Sequence, residues 1–428
     1  MRERETVMDI NKMLAGVECD CKIPHCCDIE YVYIENGAIG RLPEICENYK
    51  NILVIADENT FSAAGASVER ELGEKISDKV IFSGKTVLIP DEKAIESVNK
   101  KIDGKDLIIG IGSGVIQDLS KYISHFSGIP YMVVATAPSM DGYASDGAAM
   151  ILNGMKETVK AGLPRAIIAD TEILKNAPLE MIKAGYGDIV GKYSALCDWK
   201  LSKAVNSEYF CQYIYDTTHE MIEKTLKTAE GLLKRDEESV KTLTEALMVV
   251  GIMMSFAGSS RPASGSEHHL SHFFEIVGII NNEDYFPHGI DVAYSTVITS
   301  KIREKLLNSE FPDTIYRLTD DEYREKMQAV YKHVADGCMA LQKKVGNYST
   351  ERAGVYKEKE SEIKAILSES PTADEIEKML MVAGLDMSEF YEKYSEEKIQ
   401  DAVLYAKDLK DRYSVLWLNY DLYDTKKQ

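Results

Sequence analysis

The stretch Leu107–Lys121, LIIGIGSGVIQDLSK, decides how the chain is read. It opens as an unbroken apolar run, too short to cross a bilayer, turns through glycines, and goes on as the helical VIQDLSKYISHF. An apolar strand without polar alternation is buried on both faces, the habit of parallel sheets covered by helices. Lys50–Ala56 (KNILVIA), Lys79–Phe82 (KVIF), Thr86–Ile89 (TVLI), Tyr131–Ala135 (YMVVA) and Ala166–Ala169 (AIIA) are further strand candidates. Helical stretches such as ENTFSAAGASVERELGEKI and Asp91–Lys101 separate them. After about residue 171 strand-like runs almost vanish and long helical stretches take over, with a charged helical end from Asp320 onward. The expectation is a multi-domain chain, α/β plus all-α. Residues 1–175 are expected to form a parallel-sheet domain, and residues 176–428 a helical domain. Thr350–Pro371 is charge-rich and reads as a solvated helix or a connection.

Composition narrows the function. A formal net charge of -20 argues against nucleic acid or an anionic membrane as partner, since both call for a basic surface. A small anionic substrate remains open if its site is locally basic or holds a metal. The opening MRERETVMDINKML has no apolar stretch behind its charges, so no signal peptide is expected. Eight cysteines in 428 residues read as reduced thiols, and a cytoplasmic protein is the expectation.

Gly110, Gly112 and Gly114 sit between strand and helix, where backbone can approach a pyrophosphate and a helix N-terminus offers N–H groups. A tight turn reads equally well from these residues. Asp57 ends the run LVIA and could accept from an adenosine ribose, or cap the following helix. In the common fingerprint the acid follows the glycines by about 20 residues. Here it precedes them, so the fold has another strand order or binds no dinucleotide.

Ser266–His272, SEHHLSH, holds three of the eight histidines. His268 and His272 are one helical turn apart and share a face. His288 follows in FPHG, and Asp188 follows the glycines of GYGD. One Asp with two His suits a Zn-type site with open positions. Singly, Asp188 reads as a helix cap and His288 as a loop residue. Lys192, a turn beyond Asp188, could meet a phosphate or a developing alkoxide, or pair with Asp188.

Together these stretches resemble a known family. GIGSGVIQDLSK (Gly110–Lys121), TAPSMDGYAS (Thr136–Ser145), AIIADTEIL (Ala166–Leu174), AGYGDIVGKYSALCDW (Ala184–Trp199), SRPASGSEHHLSH (Ser260–His272) and FPHG (Phe286–Gly289) are similar to the sn-glycerol-1-phosphate dehydrogenases. That family lies within the superfamily of dehydroquinate synthases and iron-dependent alcohol dehydrogenases. SMDGYAS looks most like the bacterial branch. The resemblance implies that Gly112, Ser113, Gly114, Val115 and Ile116 cradle the pyrophosphate of NAD, with NADP less favoured. It implies that Thr136, Ala137, Pro138 and Ser139 line the cofactor and that Ser145 meets the nicotinamide. Asp141 and His272 would touch substrate. Asp188, His268 and His288 would bind one divalent metal, zinc first, with nickel or iron admissible. The family's strand order puts the ribose acid ahead of the glycines. Two departures bear on cofactor geometry: Ser113 stands at the middle glycine of the loop, and Met140 at a position often His in archaeal members. Beyond about residue 300 the likeness is only general.

The implied reaction is reversible hydride transfer between NADH and dihydroxyacetone phosphate, with the ion as Lewis acid. Asp141, Lys192 and His272 would orient substrate, hold phosphate and relay a proton, and Arg261 is a further candidate for phosphate. The rivals are a glycerol or other polyol dehydrogenase and a dehydroquinate synthase-like cyclase. Iron-type members usually carry a fourth ligand His where Lys192 stands, and the cyclases usually a Glu where Asp188 stands. The partner is a small phosphorylated polyol or ketone, and a homo-oligomer is admissible.

Cys19, Cys21, Cys26 and Cys27, with His25, crowd the N-terminal region. The C-x-C-x4-C-C spacing is not that of a standard finger, and adjacent cysteines rarely ligate one ion. Spacing alone favours thiols without metal over a structural zinc site.

Overall fold

In the computed structural model, residues 9–152, 155–315 and 317–422 are described, so the opening residues 1–8 of the stretch read above as lacking a signal lie outside them. The chain divides into two compact units: Met1–Ile182 with Lys234–Ser259, and Lys183–Leu233 with Ser260–Gln428.

The first unit is built on the strands β1 (Tyr31–Glu35), β2 (Ile52–Asp57), β3 (Ile76–Phe82), β4 (Leu107–Gly112), β5 (Tyr131–Ala135), β6 (Gly147–Leu152), β7 (Met155–Lys160) and β8 (Ala166–Asp170). Six of them form one sheet in the order β1-β8-β5-β4-β2-β3, every pairing parallel. The central strands β4, β5 and β8 are buried at every position, as their apolar runs require. On one face Ile52, Val54, Ile109, Ile111, Val134 and Ile168 pack with Leu42, Val68 and Leu72.

The helices that bear on function are α1 (Gly114–Ser127), α2 (Leu179–Asn206), α3 (Glu237–Ala257), α4 (Ser266–Asn281) and α5 (His288–Leu307). α1 ends on Gly128, whose φ of 73° is the left-handed cap that glycine adopts without strain.

Three features differ from the sequence reading. Thr86–Ile89 forms no strand: Val87 is 85% and Ile89 55% exposed, and β3 already occupies that sheet edge. β1 and the antiparallel pair β6–β7 go unread in the sequence, although Asn153-Gly154 is a strong hairpin signal. A division at residue 175 gives α3 to the second domain. Instead α3 belongs to the first unit, packing on β1, the short helix Thr171–Leu174 and the turn Gly142–Ala144. The cause is its composition. Its buried residues, from Val240 to Phe256, cover more than one face, and such a helix must be enclosed. It is also the one helix among the described residues long and apolar enough to cross a membrane.

Among the described residues the second unit is helical, the expected class. The charge-rich stretch is two short helices, Ala353–Glu358 and Glu360–Ser368. The region after residue 300 has a structural task. The helices Glu360–Ser368, Ala373–Val382 and Val415–Leu422 pack on α5. Tyr394 stacks on Phe274 of α4 at 4.1 Å and donates to both carboxylate oxygens of Asp291 on α5 at 3.1 Å.

Candidate active site

In the first unit the dinucleotide signals meet at one edge of the sheet. β2 and β4 pair from Ile52–Leu107 to Ile55–Gly110. Continued two residues, that register sets Asp57 level with Gly112. Gly112 is paired in turn with Ala135, and Thr136 N donates to Gly112 O at 3.3 Å. From β2 the chain moves outward to β3 and then back across to β4, so this is the carboxyl edge at a switch point, where open α/β sheets bind ligands. The reversed order of acid and glycines follows from the strand order.

The glycines have separate reasons. A Cβ on Gly110 would fall 2.5 Å from Ser120 Oγ, and one on Gly112 2.6 Å from Ile116 Cβ, so both permit α1 to lie close on β4. A Cβ on Gly114 would meet nothing within 4 Å. Ser113 caps α1 without a side-chain hydrogen bond, which leaves first-turn N–H groups for an anion. Gln117 Nε2 donates to Gly110 O and Gly112 O, both at 3.1 Å, and steadies the turn. Asp57 is also a helix cap: its Oδ1 accepts from Asn59 N at 2.8 Å and Thr60 N at 2.9 Å.

Thr136, Ala137, Pro138 and Ser139 leave the end of β5 as a buried segment, followed by Asp141 and the half-buried Ser145. Two groups without an assigned role in the sequence reading pin this loop. Tyr143 Oη donates to Ala137 O at 2.7 Å. Lys121 Nζ donates to Gly147 O at 2.7 Å and Gly142 O at 3.0 Å, and burial holds its pKa below the usual lysine range. α3 backs the loop, with Ser255 Oγ donating to Ala144 O at 3.0 Å.

In the second unit Asp188 on α2, His268 on α4 and His288 at the start of α5 converge, their ligand atoms within 4.8 Å of one another. Glycines make this possible. A Cβ on Gly289 would stand 2.1 Å from Ala184 O, and one on Gly187 2.6 Å from Gly289 O. On Gly191 it would meet Val292 Cγ1 at 2.6 Å. The backbones of α2 and α5 therefore approach closely beside two of the three candidate donors, Asp188 and His288.

His268 Nε2 lies 3.5 Å from Asp188 Oδ1, while its Nδ1 lies 2.6 Å from Glu267 Oε1. A carboxyl group hydrogen-bonded to one ring nitrogen orients the imidazole and leaves the other nitrogen to face an ion. Sequence reading passed over Glu267, although it adjoins His268. Burial, followed by the charges of Lys192 and His288, holds His268 well below the usual histidine range, which favours the neutral imidazole that a metal ion requires. Burial, with Asp198 nearby, pushes Glu267 up to about 8. The His272 ring lies 5.5 Å from that of His288 and 6.0 Å from that of His268.

Lys192 is fully buried, and its Nζ donates to Asp188 Oδ1 at 2.7 Å. The ion-pair reading of Lys192 thus holds in this structure, with the ammonium on the carboxylate of the candidate donor Asp188. Arg261 is engaged elsewhere: its Nε donates to Glu208 Oε1 at 2.7 Å and its Nη1 to Tyr413 O at 2.7 Å. The donor set fits a divalent ion. Three oxygen and nitrogen donors are gathered and buried or half-buried, one histidine is oriented from behind, and positions remain for water or substrate.

Residues 33–178 match the family model described as iron-containing alcohol dehydrogenase. A Bacillus licheniformis protein named glycerol-1-phosphate dehydrogenase (NAD(P)+) is 30% identical over 415 residues, 95% of this chain and 92% of its own length. A Geobacillus thermodenitrificans protein of the same name is 34% identical over 63% of this chain and 69% of its own. An iron-containing alcohol dehydrogenase structure from Thermococcus thioreducens superposes with a TM-score of 0.60 at 15% identity, over 92% of this chain and 98% of its own, a likeness of fold. The chain belongs to the glycerol-1-phosphate dehydrogenases, oxidoreductases within the iron-containing alcohol dehydrogenase superfamily.

Proposed function

We propose that the chain interconverts dihydroxyacetone phosphate and sn-glycerol 1-phosphate, using NAD and one divalent ion, zinc first and nickel or iron as alternatives. The observation that carries this reading is the Asp188–His268–His288 set with a lysine ammonium on its carboxylate. In a chain of net charge -20, a buried cation beside a metal set is what a dianionic substrate needs.

Asp188, His268 and His288 hold the ion. When bound, the dinucleotide supplies or accepts the hydride, and the ion acts as a Lewis acid towards the carbonyl oxygen. Gly112, Ser113, Gly114, Val115 and Ile116 present backbone N–H groups to the pyrophosphate, and Asp57 accepts from ribose hydroxyls. Thr136, Ala137, Pro138 and Ser139 line the cofactor, with Ser145 at the nicotinamide end. Asp141 orients a substrate hydroxyl, Lys192 draws the phosphate, and His272 holds the relayed proton on a ring nitrogen.

The test is NADH oxidation with dihydroxyacetone phosphate against dihydroxyacetone, after chelation and metal add-back. Efficient turnover of the phosphorylated ketone alone is expected. Preference for the unphosphorylated ketone would return the chain to the general polyol dehydrogenases.

A further inference from the structure

The stretch Val17–Cys27, VECDCKIPHCC, has no part in the proposed reaction. Val17 N donates to His25 O at 2.9 Å, an isolated antiparallel bridge. Between these residues a turn takes Lys22 to φ 62°, a left-handed conformation uncommon for a side-chain-bearing residue. The turn folds the chain back so that three donor atoms converge. Cys19 Sγ lies 2.8 Å from Cys21 Sγ and 3.0 Å from His25 Nε2. Cys21 Sγ lies 3.1 Å from the same nitrogen. His25 is buried and stacks on Phe256, with ring centroids 5.3 Å apart.

The two remaining cysteines of the stretch do not join this cluster. Cys26 is exposed and Cys27 buried, as alternation along extended chain requires. Burial pushes the Cys27 thiol up to about 11, which keeps it an inert thiol of the packing.

We propose that Cys19, Cys21 and His25 form a second metal site, structural in role, that takes a thiophilic divalent ion such as zinc. Two thiolates and an imidazole are a soft donor set, and softness selects zinc over magnesium or calcium. A Cys19–Cys21 disulfide would account for the two sulfurs but not for an imidazole nitrogen set equally close to both. With metal–ligand bonds of about 2.3 Å to sulfur, the sulfurs open to roughly 3.7 Å around a tetrahedral ion, and a fourth ligand completes the set. The loop also lacks another source of order. Its one large apolar side chain between Glu18 and Pro24, Ile23, is 43% exposed. Ion binding supplies folding free energy where a core does not. Spacing alone pointed to thiols without metal, because a reader of the sequence counts four cysteines. The folded loop selects two of them and adds the histidine.

The site is independent of the catalytic reading, and cobalt separates the two. Full-length protein reloaded with Co²⁺ under reducing conditions should show thiolate-to-cobalt charge transfer in the near ultraviolet. The Asp188–His268–His288 set contains no sulfur and cannot produce it. The band should persist in His268→Ala, vanish in Cys19→Ser/Cys21→Ser, and shift in His25→Ala. Zinc-loaded, desalted wild type should hold one more equivalent than Cys19→Ser/Cys21→Ser. Absence of the band from wild-type protein overturns the proposal without recourse to any variant. A Cys19–Cys21 disulfide found by mass in the zinc-loaded chain overturns it too.

Discussion

The sheet edge of the first unit and the metal set of the second are built in opposite ways. At the edge the groups proposed to work are backbone N–H groups on an open turn, Ser113 to Ile116, contiguous in sequence. In the metal set they are side chains from three helices, Asp188, His268 and His288, brought together at glycine contacts. A backbone site survives loss of most side chains and suffers when a Cβ intrudes on its ligand. A side-chain site fails on truncation, and suffers when its helices are forced apart.

The largest effect should follow from emptying the metal set. Chelation should abolish turnover and a divalent ion restore it. His268→Ala should lose both metal and turnover, with the first unit still folded by circular dichroism and NADH binding. Losing Lewis-acid stabilisation of several kcal/mol is on the order of a thousandfold in rate or more. Full activity in a verified metal-free sample would break the contrast at its root.

A paired glycine test comes next. In Gly289→Ala the new Cβ has Ala184 O at 2.1 Å, so α2 and α5 must separate next to His288. Overpacking of this kind costs about 1–3 kcal/mol. Thermal unfolding should occur at lower temperature, and metal retention should fall. Gly114→Ala meets nothing within 4 Å and should change stability by less than about 0.5 kcal/mol, while weakening NADH binding. Equal destabilisation by the two would show that both regions are packing sites alike.

Lys192→Ala should act on substrate more than on metal. Charge-assisted hydrogen bonds are worth roughly 1.5–3 kcal/mol, which is about tenfold to a hundredfold in kcat/KM. The loss should appear as a raised KM for dihydroxyacetone phosphate and spare dihydroxyacetone. Metal content should not fall, because removing a cation from Asp188 Oδ1 leaves that oxygen to the ion. Equal losses on both substrates would assign Lys192 to the carbonyl end or to the fold.

The two regions also differ in how far the sequence exposes them. Gly112 and its neighbours were legible because a backbone site needs a local pattern: apolar strand, glycines, helix. Thr86–Ile89 misled for the same reason, since a local pattern does not say whether a sheet edge is still open. His268 and His288 were legible from the sequence as candidate donors, and the likeness to a family joined them with Asp188 into one set, since nothing local says that α2 and α5 meet. The signal for that meeting was the glycine spacing of Gly187, Gly191 and Gly289. Glu267 was passed over because nothing local says that its side chain meets the ring of the adjacent His268. Arg261 was overvalued because sequence cannot show that Glu208 already holds it.

The smallest expected effect belongs to Asp57, where cap and cofactor readings overlap. Its Oδ1 takes both N–H groups of the following helix, and its register with Gly112 puts the carboxylate beside the turn proposed for the pyrophosphate. A carboxylate there accepts from a ribose 2′-OH and repels a 2′-phosphate, so NADH should be preferred over NADPH. Serine separates the two roles, because it caps helices about as well as aspartate but carries no charge. Asp57→Ser should therefore keep the unfolding temperature and narrow the NADH-to-NADPH ratio in kcat/KM by several-fold, through better use of NADPH. Asp57→Ala should narrow the ratio similarly and also lose about 1 kcal/mol of stability with the cap. An unchanged ratio in Asp57→Ser would leave Asp57 as a cap alone. Cofactor choice at this edge would then not rest on the Asp57 side chain, in keeping with a site built from backbone.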